Sequence, residues 1–330
     1  MNDVRAHIRA EVAGRRPVDA RERESLQRFV DEFDRLEQPF LEDAGPVHVT
    51  GSAIVVTTDR SRVLLHKHKR LGLWLQPGGH IDPGELPWRG ALREAVEETG
   101  LPAVLVGGEQ GHIALAHVDV HPGPRGHTHL DLRYLVESPH VPPAPPEGES
   151  PDVQWLQWHR AIALTEPGLE GALRVLQPGE PVLRQARAND AAECAHVYLR
   201  ARAFGLPQVP VVHEPSEVRR WMADDVIGHA DVWVAELDGV ITGLMVLSHD
   251  RDGGWVEQLY LDPSWMGRGL GDRFVELARR RCPGGLQLWT FQSSGPARRF
   301  WERHGFVEEQ ATDGRGNEEH APDVRCRWAP

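Results

Sequence analysis

The segment from Gly79 to Leu101 reads GHIDPGELPWRGALREAVEETGL. It holds Gly79, Glu85, Arg93, Glu94, Glu97, Glu98 and Gly100 in the spacing G-x5-E-x7-R-E-U-x-E-E-x-G-U, where U is aliphatic. With each residue type at an average usage of roughly one in fifteen, seven such matches arise by chance on the order of once in 10^8 windows. After the turn Pro77-Gly78-Gly79, the spacing predicts a helix over Trp88 to Thr99, with Trp88, Leu92, Ala95, Val96 and Thr99 toward a core. Glu94, Glu97 and Glu98 then share one flank at i, i+3 and i+4, where like charges cost roughly a few tenths of a kcal/mol per pair unless neutralised. A hard divalent cation such as Mg2+ does so, because it takes carboxylate and phosphate oxygens together. Arg93 precedes Glu97 by four residues and can reach Glu85 across the loop, so it is expected to orient the acids.

This spacing resembles the Nudix box, found in hydrolases of nucleoside diphosphates linked to another moiety. The resemblance implies an α/β/α sandwich with a mixed sheet, and Mg2+ or Mn2+ held by Glu94, Glu97, Glu98 and the Gly79 carbonyl. It also implies substitution at phosphorus with water activated by a carboxylate. That base is either a glutamate of the box or an acid on a later loop, for which Glu149 and Asp152 are candidates. The substrate is not written in the box. The cluster of Lys67, Lys69 and Arg70 reads equally as a phosphate contact or as a strand edge guarded by lysine.

At 330 residues the chain is long enough for two domains. A net charge of −12 with no basic stretch argues against a nucleic-acid polymer as partner, whereas a bound metal reverses the local sign for a small anionic substrate. Cys194, Cys282 and Cys326 are widely spaced, which implies neither a disulfide framework nor a zinc site. The first residues have no apolar run of signal-peptide length, and no stretch approaches a membrane span, so a cytoplasmic protein is expected.

Two linkers are possible, Pro139 to Pro151 and Gln177 to Pro181. After the first, Val153 to Trp158 alternates like a strand and Glu170 to Leu176 ends a helix, so the boundary is assigned to the second. The domains are then residues 1–176, with an N-terminal helical extension, and 182–330. In the first, Ala20 to Leu36 reads as an amphipathic helix, and Val47 to Thr57 and Arg62 to His68 as strands. Ile113 to His121 and His127 to Val136 read as a hairpin. On it, His117, Asp119 and His121 share one face of the first strand, and His127, His129, Asp131 and Arg133 one face of the second. Three readings are open for this face: a lining of the substrate pocket beside the acidic helix, an exposed sheet face, or a second metal site. A Nudix branch with a similar LWLQPGGHIDPGE run also carries H-x-D-x-R, which tilts the reading toward the pocket.

In the second half, Asp231 to Glu236 and Val240 to His249 read as a hairpin through Leu237-Asp238-Gly239. Trp255 to Leu261 is a third strand, running into a glycine-rich turn before a helix over Asp272 to Arg281. Such a turn presents backbone N–H groups and the positive helix end to an anion. LYLDPSWMGRGLG, with ARRFWERHGF further on, resembles the Gcn5-related N-acetyltransferases (GNAT), whose fold is a mixed α/β sheet. Both halves are thus of the α/β (α+β) class. The resemblance implies acetyl-CoA, with its pyrophosphate on the backbone of Met266, Gly267, Arg268, Gly269, Leu270 and Gly271, and its pantetheine along Leu259 and Leu261 at an opened strand edge. Glu257 is then the candidate proton acceptor for an attacking amine, or simply an exposed strand glutamate. Trp301 stands where the family usually has a tyrosine that protonates the departing thiolate, and tyrosine occurs only at positions 134, 198 and 260. The expectation is a bifunctional enzyme, with a Nudix pyrophosphohydrolase joined to an acyltransferase acting on a small amine. The alternative is a hydrolase with a non-catalytic acyl-CoA-sensing module.

Overall fold

A computed structural model describes residues 2–107, 115–250 and 253–330. The chain divides into two compact units, Met1–Pro178 and Gly179–Pro330. No described helix is long and apolar enough to cross a membrane.

The first unit runs α1 (Asn2–Gly14), α2 (Ala20–Phe33), β1 (Val47–Thr57), β2 (Val63–Lys67), β3 (Trp74–Leu75), β4 (Gly78–His80) and α3 (Pro87–Thr99). It continues through β5 (Val104–Leu105), β6 (Leu115–Pro122), β7 (Thr128–Ser138), β8 (Val153–Leu156), α4 (Trp158–Leu164) and α5 (Pro167–Leu176). Its eight-stranded sheet is mixed: β1 lies parallel to β7 over its whole length and antiparallel to β2 and β4. Strand alternation divides β1 between two layers. Val49, Ala53 and Val55 join Phe29, Phe33, Ala91 and Ala95 in one core. Ile54 and Val56 are buried on the opposite face, where α4 packs on β2 and α5 on β6.

The helix expected at Trp88–Thr99 is α3, opened by Pro87 at its first position and closed by Gly100 in the left-handed region at φ 68°. A Cβ at Gly100 would also lie 2.1 Å from the Ala144 carbonyl, so glycine is required there twice over. The expected inward face needs one correction. Val96 is 41% exposed, because the helix docks through Gly90, Ala91, Ala95 and Thr99, small residues that let it approach Gly51 of β1. The strand expected through Trp158 stops at Leu156, and Trp158 instead opens α4 with its ring buried. Helix α2 ends at Phe33, where the Asp34 amide caps the carbonyls of Val30 and Glu32, and not at Leu36. The first expected strand of the hairpin begins at Leu115 among the described residues; Ile113 lies outside them.

The second unit runs β9 (Val182–Gln185), α6 (Ala191–Gly205), α7 (Pro215–Trp221), β10 (Asp231–Leu237), β11 (Val240–Asp250) and β12 (Gly253–Leu261). It closes with α8 (Leu270–Arg281), β13 (Leu286–Phe291), α9 (Gly295–Arg303), β14 (Val307–Ala311) and β15 (Asp323–Trp328). The sheet order is β14-β15-β13-β12-β11-β10-β9. Phe274, Val275, Leu288 and Trp301 belong to one core, and Val197, Val218, Val234 and Leu244 to another. Helix α8 starts at Leu270, two residues before the expected Asp272, because Gly269 at φ 80° ends the turn. Helix α1 lies in the expected N-terminal helical extension, whereas the described helices α6 and α7 have no counterpart in the sequence reading.

Candidate active sites

Helix α3 and the Gly78–Gly79 strand face each other, and this brings the acids together. The Gly78 amide donates to Glu98 Oε2 at 3.0 Å. Glu94 lies so close to Gly79 that a Cβ there would be 2.4 Å from Glu94 Oε1. Arg93 donates through Nη1 to Glu94 at 2.8 Å and to Glu97 at 3.0 Å, through Nε and Nη2 to Glu85 at 3.1 Å each, and through Nη2 to the His80 carbonyl at 2.8 Å. These bonds, that to Glu85 foremost, push its pKa up and hold it charged. The carboxylates differ sharply in exposure. The side chains of Glu94 and Glu98 are each 17% exposed and that of Glu97 is 57% exposed, outward of Arg93.

Burial raises Glu94, against the opposing bonds of Arg93. Glu98 is pushed up to about 8, first by burial and then by Glu94, Glu149 and Glu97, with the Gly78 amide opposing. His66, 5% exposed, lies 4.0 Å from Glu98 and is held neutral by burial, at about 4. Half-buried carboxylates crowded on a turn, with Arg93 already shared among them, fit a divalent cation as the missing counter-charge. His66 was missed by the sequence reading; its phase with buried Leu64 on β2 was the available signal. Glu149 and Asp152 are exposed, and Glu149 is near enough to act on the charge of Glu98. Lys69 donates to the Gly148 carbonyl, which ties that loop to the end of β2.

The polar face of the hairpin is neither exposed nor beside α3, which corrects two of the three readings. Thr50 and Ser52 bond Asp131 at 3.0 and 2.7 Å from the face of β1 opposite to Gly51, the residue that touches α3. His117, Asp119, Asp131 and Arg133 are all 1–2% exposed. Arg133 donates to Asp131 at 2.9 Å, to Asp119 at 3.2 Å and to the Gly168 carbonyl of α5, while Arg21 of α2 donates to Asp119 at 2.9 Å. Burial works against the Asp119 carboxylate, yet His121, Arg133 and Arg21 hold it well below the usual range. The network therefore binds helices α2 and α5 to the sheet. Burial also lowers His48 and takes His129 down to about 4, leaving both rings neutral.

In the second unit, β12 pairs with β13 only at Gly254 and Trp255. Beyond that the strands separate, and the edge of β12 from Glu257 to Leu261 that faces β13 is left open for an extended ligand. Glu257 is exposed, sits at the bulge opposite Val246 and Leu247, and accepts the Ser248 hydroxyl. The turn after β12 has Gly267 at φ 76° and Gly269 at φ 80°, with Gly267, Arg268 and Gly269 exposed ahead of the first turn of α8. Asp272 in that turn is hydrogen-bonded to His304 at 2.9 Å. This combination fits an anion with an extended tail. Trp301 is 7% exposed and packs at 5.0 Å against both Phe300 and Phe306, as a core residue. A further group, unseen in the sequence, joins Tyr198 and Tyr260 at 4.7 Å between rings, with Arg202 bonded to Tyr198 and Glu319.

Residues 47–177 match the NUDIX domain family and residues 228–308 the acetyltransferase (GNAT) domain family. A putative 8-oxo-dGTP diphosphatase of Bacillus subtilis is 41% identical over 59 residues, 18% of this chain and 40% of that protein. Mycothiol acetyltransferase of Beutenbergia cavernae is 26% identical over 161 residues, 46% of this chain and 54% of that one. The chain thus spans about half the length of the curated relatives it matches. Among solved structures, a NUDIX-family hydrolase from Clostridium perfringens is similar over 39% of this chain and 93% of its own, at 26% identity and a TM-score of 0.34. With both family matches on one chain and each within its own folded unit, the N-terminal unit carries a Nudix domain and the C-terminal unit a GNAT acetyltransferase domain.

Proposed function

We propose that the N-terminal domain hydrolyses a pyrophosphate linkage in a nucleoside-diphosphate-linked substrate with Mg2+ (or Mn2+), and that the C-terminal domain transfers an acyl group from acetyl-CoA to a small amine. The hydrolase reading is carried by one observation, the half-buried pair Glu94 and Glu98 against Gly78–Gly79 with Arg93 bridging the neighbouring acids. Glu94, Glu98 and the Gly79 carbonyl would hold the ion, with Glu97 completing the set from the solvent side. When bound, Mg2+ supplies neutralisation of charge developing on the phosphates. Arg93 keeps the carboxylates oriented, and Glu149, on the loop whose charge reaches Glu98, is our candidate to take the proton of the attacking water.

For the acyl transfer, the backbone from Met266 to Gly271 would hold the pyrophosphate of acetyl-CoA, and the open edge at Leu259 and Leu261 its pantetheine arm. Glu257 would take the proton of the attacking amine, directly or through water. One observation favours a second reading, a non-catalytic acyl-CoA-binding module: the position of the usual proton donor is held by the buried Trp301.

The test of the hydrolase is a Mg2+-dependent phosphate-release screen with Glu98→Gln as control. 8-oxo-dGTP and other nucleoside triphosphates come first, then dinucleoside polyphosphates, nucleotide sugars, ADP-ribose, NADH and CoA. A substrate turned over by the wild type and not by the variant supports the reading; equal turnover by both sinks the ligand assignment. For the second domain, thiol release from acetyl-CoA across an amine panel, abolished by Glu257→Gln, supports transfer. Acetyl-CoA binding with no thiol released from any amine supports the sensor.

A further inference from the structure

The face of the Nudix sheet that carries the buried Asp131 network ends in a group of histidines. Register gathers them: His48 of β1 lies beside His129 of β7 in the parallel pairing, and His80 of β4 lies opposite Thr50, the next residue of β1 on that face. The ring centroids of His48 and His80 are 5.1 Å apart, those of His48 and His129 5.1 Å, and those of His80 and His129 5.5 Å. One ring nitrogen from each lies within 4.8 Å of the other two. His48 is fully buried, and the Nε2 atoms of all three rings are shielded from solvent with no hydrogen-bond partner. Polar atoms taken out of water without partners are rare, and three of them on neighbouring rings call for an explanation.

The outer nitrogens account for the orientation of two rings. His48 Nδ1 faces the Gly45 carbonyl at 3.4 Å, and His80 Nδ1 faces Glu42 Oε2 at 3.4 Å. A proton on Nδ1 in each would leave Nε2 with the lone pair that a metal ion takes. A carboxylate or carbonyl on the far nitrogen is also the usual support of a metal-bound imidazole.

We propose that His48, His80 and His129 form a site for a transition-metal ion of the Zn2+ class, separate from the carboxylate site of α3. The donor set selects the ion: neutral imidazoles suit Zn2+, Co2+, Ni2+ or Cu2+, and Mg2+ takes oxygen. With Zn–N bonds of about 2.0–2.1 Å, tetrahedral ligands lie about 3.4 Å apart, so the rings need close by little more than about 1 Å to hold an ion. Three protein ligands leave a fourth position for water. His80 follows Gly79 directly, and its carbonyl is held by Arg93, so the ion would brace the strand that shapes the carboxylate site.

The test uses the full-length protein, stripped with chelator and titrated with Zn2+ in the presence of excess Mg2+. The expected result is one Zn2+ per chain, with binding unaffected by Glu98→Gln and weakened at least about tenfold by His80→Ala or His129→Ala. Glu42→Gln, which removes no ligand, is expected to weaken binding by roughly 10–100-fold. Co2+ in place of Zn2+ should give the intense absorption of a four-coordinate nitrogen site, lost in the histidine variants. Gly123→Ala should also weaken the site, because a Cβ there would lie 2.3 Å from His129 Nε2 and displace the ring. Anomalous scattering from Zn2+ in crystals of the wild type reads the position without any variant. An ion within bonding distance of the three rings supports the proposal. Zn2+ that is displaced by Mg2+ and lost in Glu98→Gln, or no stoichiometric binding, overturns it.

Discussion

The Glu98 carboxylate accepts the Gly78 amide at 3.0 Å across twenty residues of chain, which joins the last turn of α3 to the glycine turn that opens the signature. That bond opposes the rise in the Glu98 pKa that burial and the neighbouring glutamates cause, so this residue is where electrostatic cost concentrates when no cation is present.

The pH dependence of stability follows from it. Glu98 stays protonated in the folded, metal-free chain up to about 8, whereas an unfolded glutamate ionises near about 4.3. Between those values the unfolded chain binds fewer protons, so stability falls as pH rises through the window. In chelator, Glu98→Gln should melt with the wild type below about pH 4 and roughly several degrees above it at pH 8. Mg2+ should then raise the melting temperature of the wild type more than that of the variant. Equal melting temperatures at pH 8 in chelator would refute this account of burial.

Arg133 is 2% exposed and bonded to both Asp119 and Asp131. Arg133→Met leaves two buried carboxylates short of their cation and should lower stability by about 3–5 kcal/mol in denaturant melts. A loss under 1 kcal/mol, on the order of a surface ion pair, would show that the network does not carry the packing assigned to it.

Trp301→Tyr tests whether the second domain lacks only a proton donor. Replacing a ring packed on Phe300 and Phe306 should cost about 1–3 kcal/mol. If the phenol reaches the thiolate, acetyl transfer at saturating acetyl-CoA should rise by up to roughly 10^2-fold. Unchanged turnover in a folded variant would mean that thiolate departure does not depend on this position.

Burial pushes the thiols of Cys194 and Cys326 up, to about 12 and about 11, and raises that of Cys282. All three are buried and free of disulfides. The native protein should react with a thiol reagent at pH 8 at least about 10^2-fold more slowly than the denatured chain, which then exposes three equivalents. Fast labelling of any one before unfolding would contradict the packing.

Much of the architecture was legible because it rests on local rules. The glycine at position 100 had to end a helix whose acids recur at i, i+3 and i+4, and Asp238 with Gly239, both at positive φ, had to turn a hairpin. The α3 signature, the long strand Val47–Thr57 and the glycine turn before α8 are in this class, since neighbours in the chain determine them. Other features depend on which strands lie side by side. The open edge of β12 exists because β13 departs after Trp255. The histidine-rich face became a buried ion network because α5 brought the Gly168 carbonyl over Arg133. His48, His80 and His129 are separated by up to 81 positions, and only the register of β1 with β4 and β7 brings their nitrogens together. Spacing along the chain thus determined the two domain signatures, whereas pairing between distant strands decided which polar residues meet, because side-chain contacts across a sheet follow register and not sequence distance.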